Sequence, residues 1–368
     1  DNSIAGSYDV DATSLNWRIM DDLAVRVSEQ TAVKAQDLGD LFLPQITTFS
    51  TAADPCDYRY RDVGRNPEQR RANCDAEGIP ADFISNVVNA TAQGVTGGNP
   101  NLINEVADTK STGLVYQPSW WGDVLFGAAS FAVDYIEIEL TDYVTSYSLT
   151  QNMNACYDYD TYPNSQFCDS FSRDAEFQVD DFATGLINAG LIDFATYVWK
   201  ADWAFDVSEL ASFVSRENVA MDLGSMAIRY RATQEDFFAS ADSGAAEDLR
   251  SATGQFGNDE WFYDTQFEWA YQDWYVYVQG NSRSGGVIDI DRVYDDEYLG
   301  YDGQPIFEFD GYTSWNGGVG YRVNDGTTLR VNVSNLFDYD GTEDDVFTPE
   351  ADLLFYGRSV TASMNVRF

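Results

Sequence analysis

The 368-residue chain carries 61 Asp and Glu against 21 Lys and Arg, a formal charge of -40, and no histidine. That field repels nucleic acid, and without an imidazole the chain can build neither Ser-His nor Cys-His catalysis nor a histidine-bearing zinc site. Hydrophobic residues at 44% and aromatics at 15% are too many for a disordered acidic chain, while no apolar run reaches about 18 residues, so no transmembrane helix is expected.

Period-two alternation, the mark of strands with one apolar and one polar face, recurs along the chain far more often than helical spacing. The first candidates lie near 14 to 20 and 23 to 33. A long excursion over about 34 to 104 follows, then strands near 106 to 116 and 127 to 143. A second excursion covers about 144 to 173, before candidates near 174 to 187 and 188 to 207. In the latter, Ala195, Tyr197, Trp199, Ala201, Trp203, Phe205 and Val207 share one face, and Thr196, Lys200, Asp202 and Asp206 the other. Further candidates fall near 217 to 232, 263 to 271 and 273 to 283. Trp315, Gly317, Val319, Tyr321 and Val323 then alternate into the hairpin signal Asn324-Asp325-Gly326, which leads into Leu329, Val331 and Val333.

The final segment, Leu354 to Phe368, places Leu354, Tyr356, Val360, Ala362, Met364, Val366 and Phe368 on one face and ends on an aromatic residue. The closing strand of an outer-membrane β-barrel reads this way, and Val360, Ala362, Met364, Val366 and Phe368 are the residues expected to engage the barrel-assembly machinery. Roughly a dozen strands, with short turns on one side and long loops on the other, predict an all-β, antiparallel outer-membrane-type barrel region spanning 1 to 368. Trp120, Trp121, Trp261 and Trp274, near strand ends, are candidates for interfacial girdles, and outer-membrane lipid is the expected surrounding.

The four cysteines form two local pairs, Cys56 with Cys74 and Cys156 with Cys168, inside Asp-, Asn-, Pro- and Tyr-rich stretches. Their spacing suits loop-closing disulfides better than a metal site, so the loops are expected to face an oxidising compartment. Carboxylates crowd three loops: Asp338, Asp340, Glu343, Asp344 and Asp345; Asp289, Asp291, Asp295, Asp296 and Glu297; and Tyr157-Asp158-Tyr159-Asp160. The first group, beside Gly341, is the candidate calcium site, although the 12-residue calcium-loop pattern is not matched. A solvated acidic surface explains the same residues. No cofactor other than calcium is expected, and no enzyme activity.

Specific words narrow the reading. Leu41-Phe42-Leu43-Pro44, Asp54-Pro55-Cys56-Asp57, Asn73-Cys74, Gly78-Ile79-Pro80 and Gly98-Asn99-Pro100-Asn101-Leu102 occur in order, as do Val133-Asp134-Tyr135, Phe167-Cys168-Asp169 with Arg173-Asp174, Asn335-Leu336-Phe337-Asp338 and Tyr356-Gly357-Arg358. Together they resemble the TonB-dependent receptors of proteobacteria. The resemblance implies a barrel of about 22 strands, with this chain mapping to its second half. It also implies location at the outer membrane or cell surface of a Gram-negative bacterium, and capture and uptake of a siderophore, glycan or similar nutrient by the long loops. The chain departs from the family after Leu102, where Ile103-Asn104-Glu105 replaces Lys-Pro-Glu, and within Ala32 to Phe42, where Arg-Ala-Pro is missing. No plug-like α/β segment is found, so transport by these residues unaided is not expected, and an N-terminal barrel and plug half or another chain is the expected partner. The competing expectation is an acidic, non-enzymatic surface protein, an S-layer or extracellular lattice subunit, whose copies are bridged by cations.

Overall fold

The computed structural model describes residues 8–241, 249–255, 257–287, 308–339 and 357–367. In chain order the first part forms β1 (Ala12–Met20), β2 (Leu23–Lys34), α1 (Leu38–Phe42), β3 (Ile46–Ser50), α2 (Pro67–Glu77), β4 (Ala92–Gly97), β5 (Glu105–Tyr116), α3 (Trp121–Val124), β6 (Ala128–Ser146) and α4 (Leu149–Tyr157). The middle forms β7 (Phe171–Arg173), β8 (Val179–Asp206), α5 (Val207–Ser215), β9 (Ser225–Ala241), β10 (Arg250–Ser251), β11 (Trp261–Tyr271) and β12 (Trp274–Arg283). The last part forms β13 (Gly286–Val287), β14 (Glu308–Phe309), β15 (Tyr312–Asn324), β16 (Thr327–Ser334) and β17 (Ser359–Val366).

Eleven strands follow one another as a single antiparallel wall in the order β1-β2-β5-β6-β8-β9-β11-β12-β15-β16-β17. Each neighbour is the next long strand in sequence, so the wall is an up-and-down meander. Among the described residues β1 and β17 do not pair with each other. One end carries the tight connections between β1 and β2, β11 and β12, and β15 and β16. At the last, the Asn324 carboxamide accepts the Gly326 N–H at 3.0 Å, as an Asx-type turn requires. The opposite end carries the long excursions.

Register shows which side chains share a face, because directly opposed residues point the same way. Trp17, Val25, Leu114, Val133 and Trp199 lie in one line across five strands. Six residues further along the same face of β8, Phe205 opposes Met226, and Met226, Trp269, Val276, Val319, Val331 and Ala362 form a second line across the remaining six strands. This face is apolar and exposed, with Trp17 at 59% and Met364 at 65%. The other face is charged. Arg26 binds Asp134 across the bare backbone of Gly113, Arg231 binds Asp202 at 2.8 Å, and Arg229 binds Glu268 at 2.7 Å.

Aromatic rings bound the apolar face above and below. Toward the long loops, Tyr135 meets Tyr197 at 4.6 Å and Trp261 stacks on Tyr263 at 5.5 Å; toward the hairpins, Trp203 meets Phe205 at 4.7 Å and Trp274 meets Tyr321 at 4.6 Å. From Tyr263 to Tyr271 the strand covers about 27 Å, which a tilt of about 40° reduces to about 21 Å, close to the height of an outer-membrane apolar band. Beyond the upper ring the two faces exchange character. Asp108, Lys110, Glu137, Glu139, Asp193 and Asp236 continue the outward rows, while Ile136, Ile138 and Phe194 stand on the inner side.

Three boundaries differ from the sequence expectation. The segments 174–187 and 188–207 are one strand, β8, because its upper part finds partners in β4, β6 and β7 instead of turning at Asn188-Ala189-Gly190. Val207 leaves the ladder to begin α5, so the strand expected near 217 starts only at Ser225. The closing strand begins at Ser359 after Gly357, whose φ of +55° turns the chain.

Candidate ligand-capture site

The excursions 35–104 and 147–178 meet above the wall and fold as one cap. Pro67 opens α2, where its missing N–H costs nothing, and Gly78 ends it in the left-handed region at φ +89°. A reciprocal capping box opens α4: the Ser148 hydroxyl accepts the Gln151 N–H, and the Gln151 side chain accepts the Ser148 N–H at 3.0 Å. The disulfides Cys56–Cys74 and Cys156–Cys168 staple one excursion each. Both sit in a shared core with Ile79, Phe83, Tyr147, Tyr157 and Phe167, flanked by a second cluster of Val87, Leu149, Met153 and Phe182. The cap is anchored to the wall through β4, which pairs with β3 and runs parallel to β8 over Val95–Gly97.

Charged and amide groups clasp the two excursions. Asn73 Nδ2 donates to the carbonyls of Tyr157 and Tyr159, both at 2.8 Å. The buried Arg70 guanidinium grips Asp158 at 2.5 and 2.6 Å and reaches Asn154 at 3.0 Å. Arg173 forms a two-pronged pair with the fully buried Asp54, each contact 2.8 Å, and donates to the Tyr157 hydroxyl at 2.9 Å. Burial works against the charged guanidinium, but the Asp54 carboxylate outweighs it and holds the Arg173 proton more tightly than usual. Burial and the Glu77 carboxylate push the Tyr162 hydroxyl up to about 12. Burial alone would raise Asp57, yet the Arg59 guanidinium and the backbone N–H groups of Arg59 and Ser85 hold its carboxyl below the usual range.

Between the start of α2 and the turn after α4 the cap opens into a cavity of about 760 Å³. Its lining combines the amides of Asn66, Gln69, Asn164 and Gln166, the hydroxyls of Thr161 and Ser165, the rings of Tyr159 and Phe167, and the carboxylates of Glu68, Asp158 and Asp160. Among the described residues no Lys or Arg lines it. Such a surface offers donors, acceptors and stacking rings but no cation for an anionic guest.

The structure pairs the four cysteines as their local grouping suggests. In the run Tyr157-Asp158-Tyr159-Asp160, Tyr157 is core and both Asp158 oxygens are taken by Arg70. Asp338 accepts the Arg358 N–H at 2.8 Å beside β17, whereas Asp340, Glu343, Asp344, Asp345 and the acidic loop Asp289 to Glu297 lie outside the described residues. Among the described residues no three acidic or cysteine side chains are grouped to hold a metal ion. Val360, Ala362, Met364 and Val366 stand opposite Val333, Val331, Leu329 and Thr327 on the apolar face, and Phe368 lies outside the described residues. Sequence reading missed α2 and α4, although Pro67, Gly78 and the Ser148/Gln151 pair were available as stop and start signals.

Comparison with known proteins follows the geometry. The family described as TonB dependent receptor-like, beta-barrel matches residues 12–336. A variant of the ferric enterobactin receptor PfeA of Pseudomonas aeruginosa is similar to 99% of this chain at 12% identity and a TM-score of 0.56, with 41% of its own length covered. Another PfeA variant, solved in complex with enterobactin, gives 13% identity, coverage of 100% and 41%, and a TM-score of 0.57. The siderophore receptor PirA of Acinetobacter baumannii gives 13%, 100% and 42%, and 0.57. The chain thus spans less than half the length of these receptors, and at such identities the likeness is one of fold. No curated protein sequence matches the chain.

Proposed function

This chain belongs to the TonB-dependent receptor-like β-barrel family and lies in the outer membrane of a Gram-negative bacterium, and on that premise we propose that its cap captures a neutral, hydroxyl-rich nutrient of the glycan class. One observation carries the reading: among the described residues the cap cavity is lined by amides, hydroxyls, two aromatic rings and carboxylates, with no Lys or Arg. An anionic ferric chelate would enter against Glu68 and Asp160, in a chain of formal charge -40. A sugar ring presents an apolar face to Tyr159 or Phe167 and hydroxyls to the surrounding amides, at no electrostatic cost.

In this reading the chain binds and passes on its ligand without altering it. The wall supplies the membrane setting, the cap supplies recognition, and uptake requires the plug and energy-coupling partner of a complete receptor. Titration of the purified full-length protein with uncharged oligosaccharides and with anionic ferric catecholate chelates tests this. Saturable oligosaccharide binding, weakened about tenfold or more by Asn164→Ala with Gln166→Ala, is expected; loss of one or two hydrogen bonds of about 1 kcal/mol each gives that scale. Binding of the ferric chelates in place of the sugars would overturn the assignment.

A further inference from the structure

The connection 207–224, which contains α5, and the neighbouring 117–127, which contains α3, are longer than the tight turns at that end of the wall. The position of α5 follows from ring contacts. Phe126, from the neighbouring connection, lies 4.8 Å from Trp203, 5.0 Å from Phe205 and 5.4 Å from Phe213 of α5. Trp121 lies 5.5 Å from Phe131 and 6.1 Å from Trp203. Phe131, Trp203 and Phe205 belong to the outward, lipid-facing rows of β6 and β8. The helix is therefore folded against the outside of the wall rather than suspended below the lumen.

Polar contacts fix it there. The Gly127 N–H donates to Glu209 of α5 at 3.0 Å, Trp203 Nε1 donates to the Phe126 carbonyl at 3.0 Å, and Trp269 Nε1 donates to the Leu223 carbonyl at 3.0 Å. Gly127 has φ +69°, and a Cβ there would stand 2.2 Å from the Ala204 carbonyl, so only glycine permits this close approach. Ser212 satisfies its own hydroxyl on the Ser208 carbonyl at 2.8 Å. Val124, Phe213, Val214 and Met221 are 62%, 51%, 72% and 67% exposed, and Arg216, Glu217, Asn218 and Asp222 of the same connection are exposed as well, so the uncovered surface pairs an apolar patch with a charged rim.

We propose that α5 and the α3 turn form an interfacial membrane anchor, with Phe213, Val214, Met221 and Val124 buried in the periplasmic leaflet. The occupant is phospholipid because the patch is continuous with the lipid-facing rows through Phe126, Trp203 and Phe205. A short helix with an apolar side at the headgroup boundary behaves in this way. Such an anchor fixes the depth of the wall in the membrane, independently of which ligand the cap takes.

The test uses the full-length protein in phospholipid vesicles with no other protein present. Among the described residues the native cysteines leave no free thiol, so Phe213→Cys, Val214→Cys, Met221→Cys and, as control, Asn218→Cys each receive a single nitroxide. Folding of each variant is checked by heat-modifiable electrophoretic mobility. Collision of the label with oxygen is expected to exceed collision with a water-soluble nickel chelate about tenfold at 213, 214 and 221, and the order to reverse at 218. Equal nickel access at all four positions would overturn the proposal. So would labels that are wet in vesicles yet shielded in native outer membranes, since the occupant would then be a protein.

Discussion

Replacing Arg173 by Met should loosen the cap while leaving the wall intact. Asp54 is wholly buried; its carboxylate receives two 2.8 Å contacts from Arg173 and one 3.0 Å contact from the Cys56 N–H. Arg173→Met leaves that charge with a single donor, and removing one member of a buried pair costs about 3–5 kcal/mol. At about 1.4 kcal/mol per tenfold, opening of the cap becomes about a hundred to a few thousand times more frequent. Hydrogen exchange of the amides near Cys56 and Asp57 reads this directly, with the β11 and β12 amides as internal control. Adding Asp54→Asn removes the stranded charge, so the double variant should recover most of the protection. An increase below tenfold in the single variant, or no recovery in the double, would show that the pair does not hold the two excursions together.

Asn73→Asp turns a donor to two carbonyls into a charge facing them, and should cost about 2–3 kcal/mol of cap stability, seen as faster exchange in α2 and α4. Gly94→Ala would place a Cβ 2.3 Å from the Phe182 carbonyl; displacement of β4 from β8, about 1–3 kcal/mol, should appear as protease cleavage in 92–97. Reducing both disulfides, each closing a loop worth about 3 kcal/mol, should abolish oligosaccharide binding while the heat-modifiable mobility of the wall persists. Cap stability should also depend on pH at both extremes. Asp57 has a folded pKa below its unfolded value of about 3.9, so its contribution is present above about pH 4 and is lost as the pH falls through the lower folded value. Tyr162 is raised from 10.0 to about 12, so its contribution is intact below pH 10 and is lost as the pH rises toward 12. Tyr157, raised by burial first and then by Glu77 against the opposing Arg173, acts in the same alkaline direction. Exchange measured from pH 2 to 11 at matched chemical exchange rates checks both limbs; a flat profile would refute the assignment.

The wall was legible because alternation is local. Tyr197, Trp199, Ala201 and Trp203 declare a two-sided strand without reference to anything distant, and Asn324-Asp325-Gly326 declares its own hairpin. Alternation does not say where a strand stops. Val207 continues the apolar rhythm of β8 yet starts a helix, because beyond Asp206 no partner strand continues the ladder and Phe213 finds Phe126 instead. Nor does composition locate a charge. Asp158 reads as one carboxylate in an acidic run, and only its burial against Arg70 makes it a structural fastener.

The sequence by itself determined the strand class, the two-sided rows, the local cysteine pairs and, through ordered motifs, the family. Tertiary structure alone decided that two excursions form a single cap, that among the described residues no basic side chain lines its cavity, and that α5 packs through Phe213 against Phe126 of the neighbouring connection. The reason is distance along the chain. Arg173 and Asp54 are 119 positions apart and Arg70 and Asp158 are 88 apart. No periodic pattern reaches across such spans, and the pairs exist only where the folded chain brings the groups together out of water.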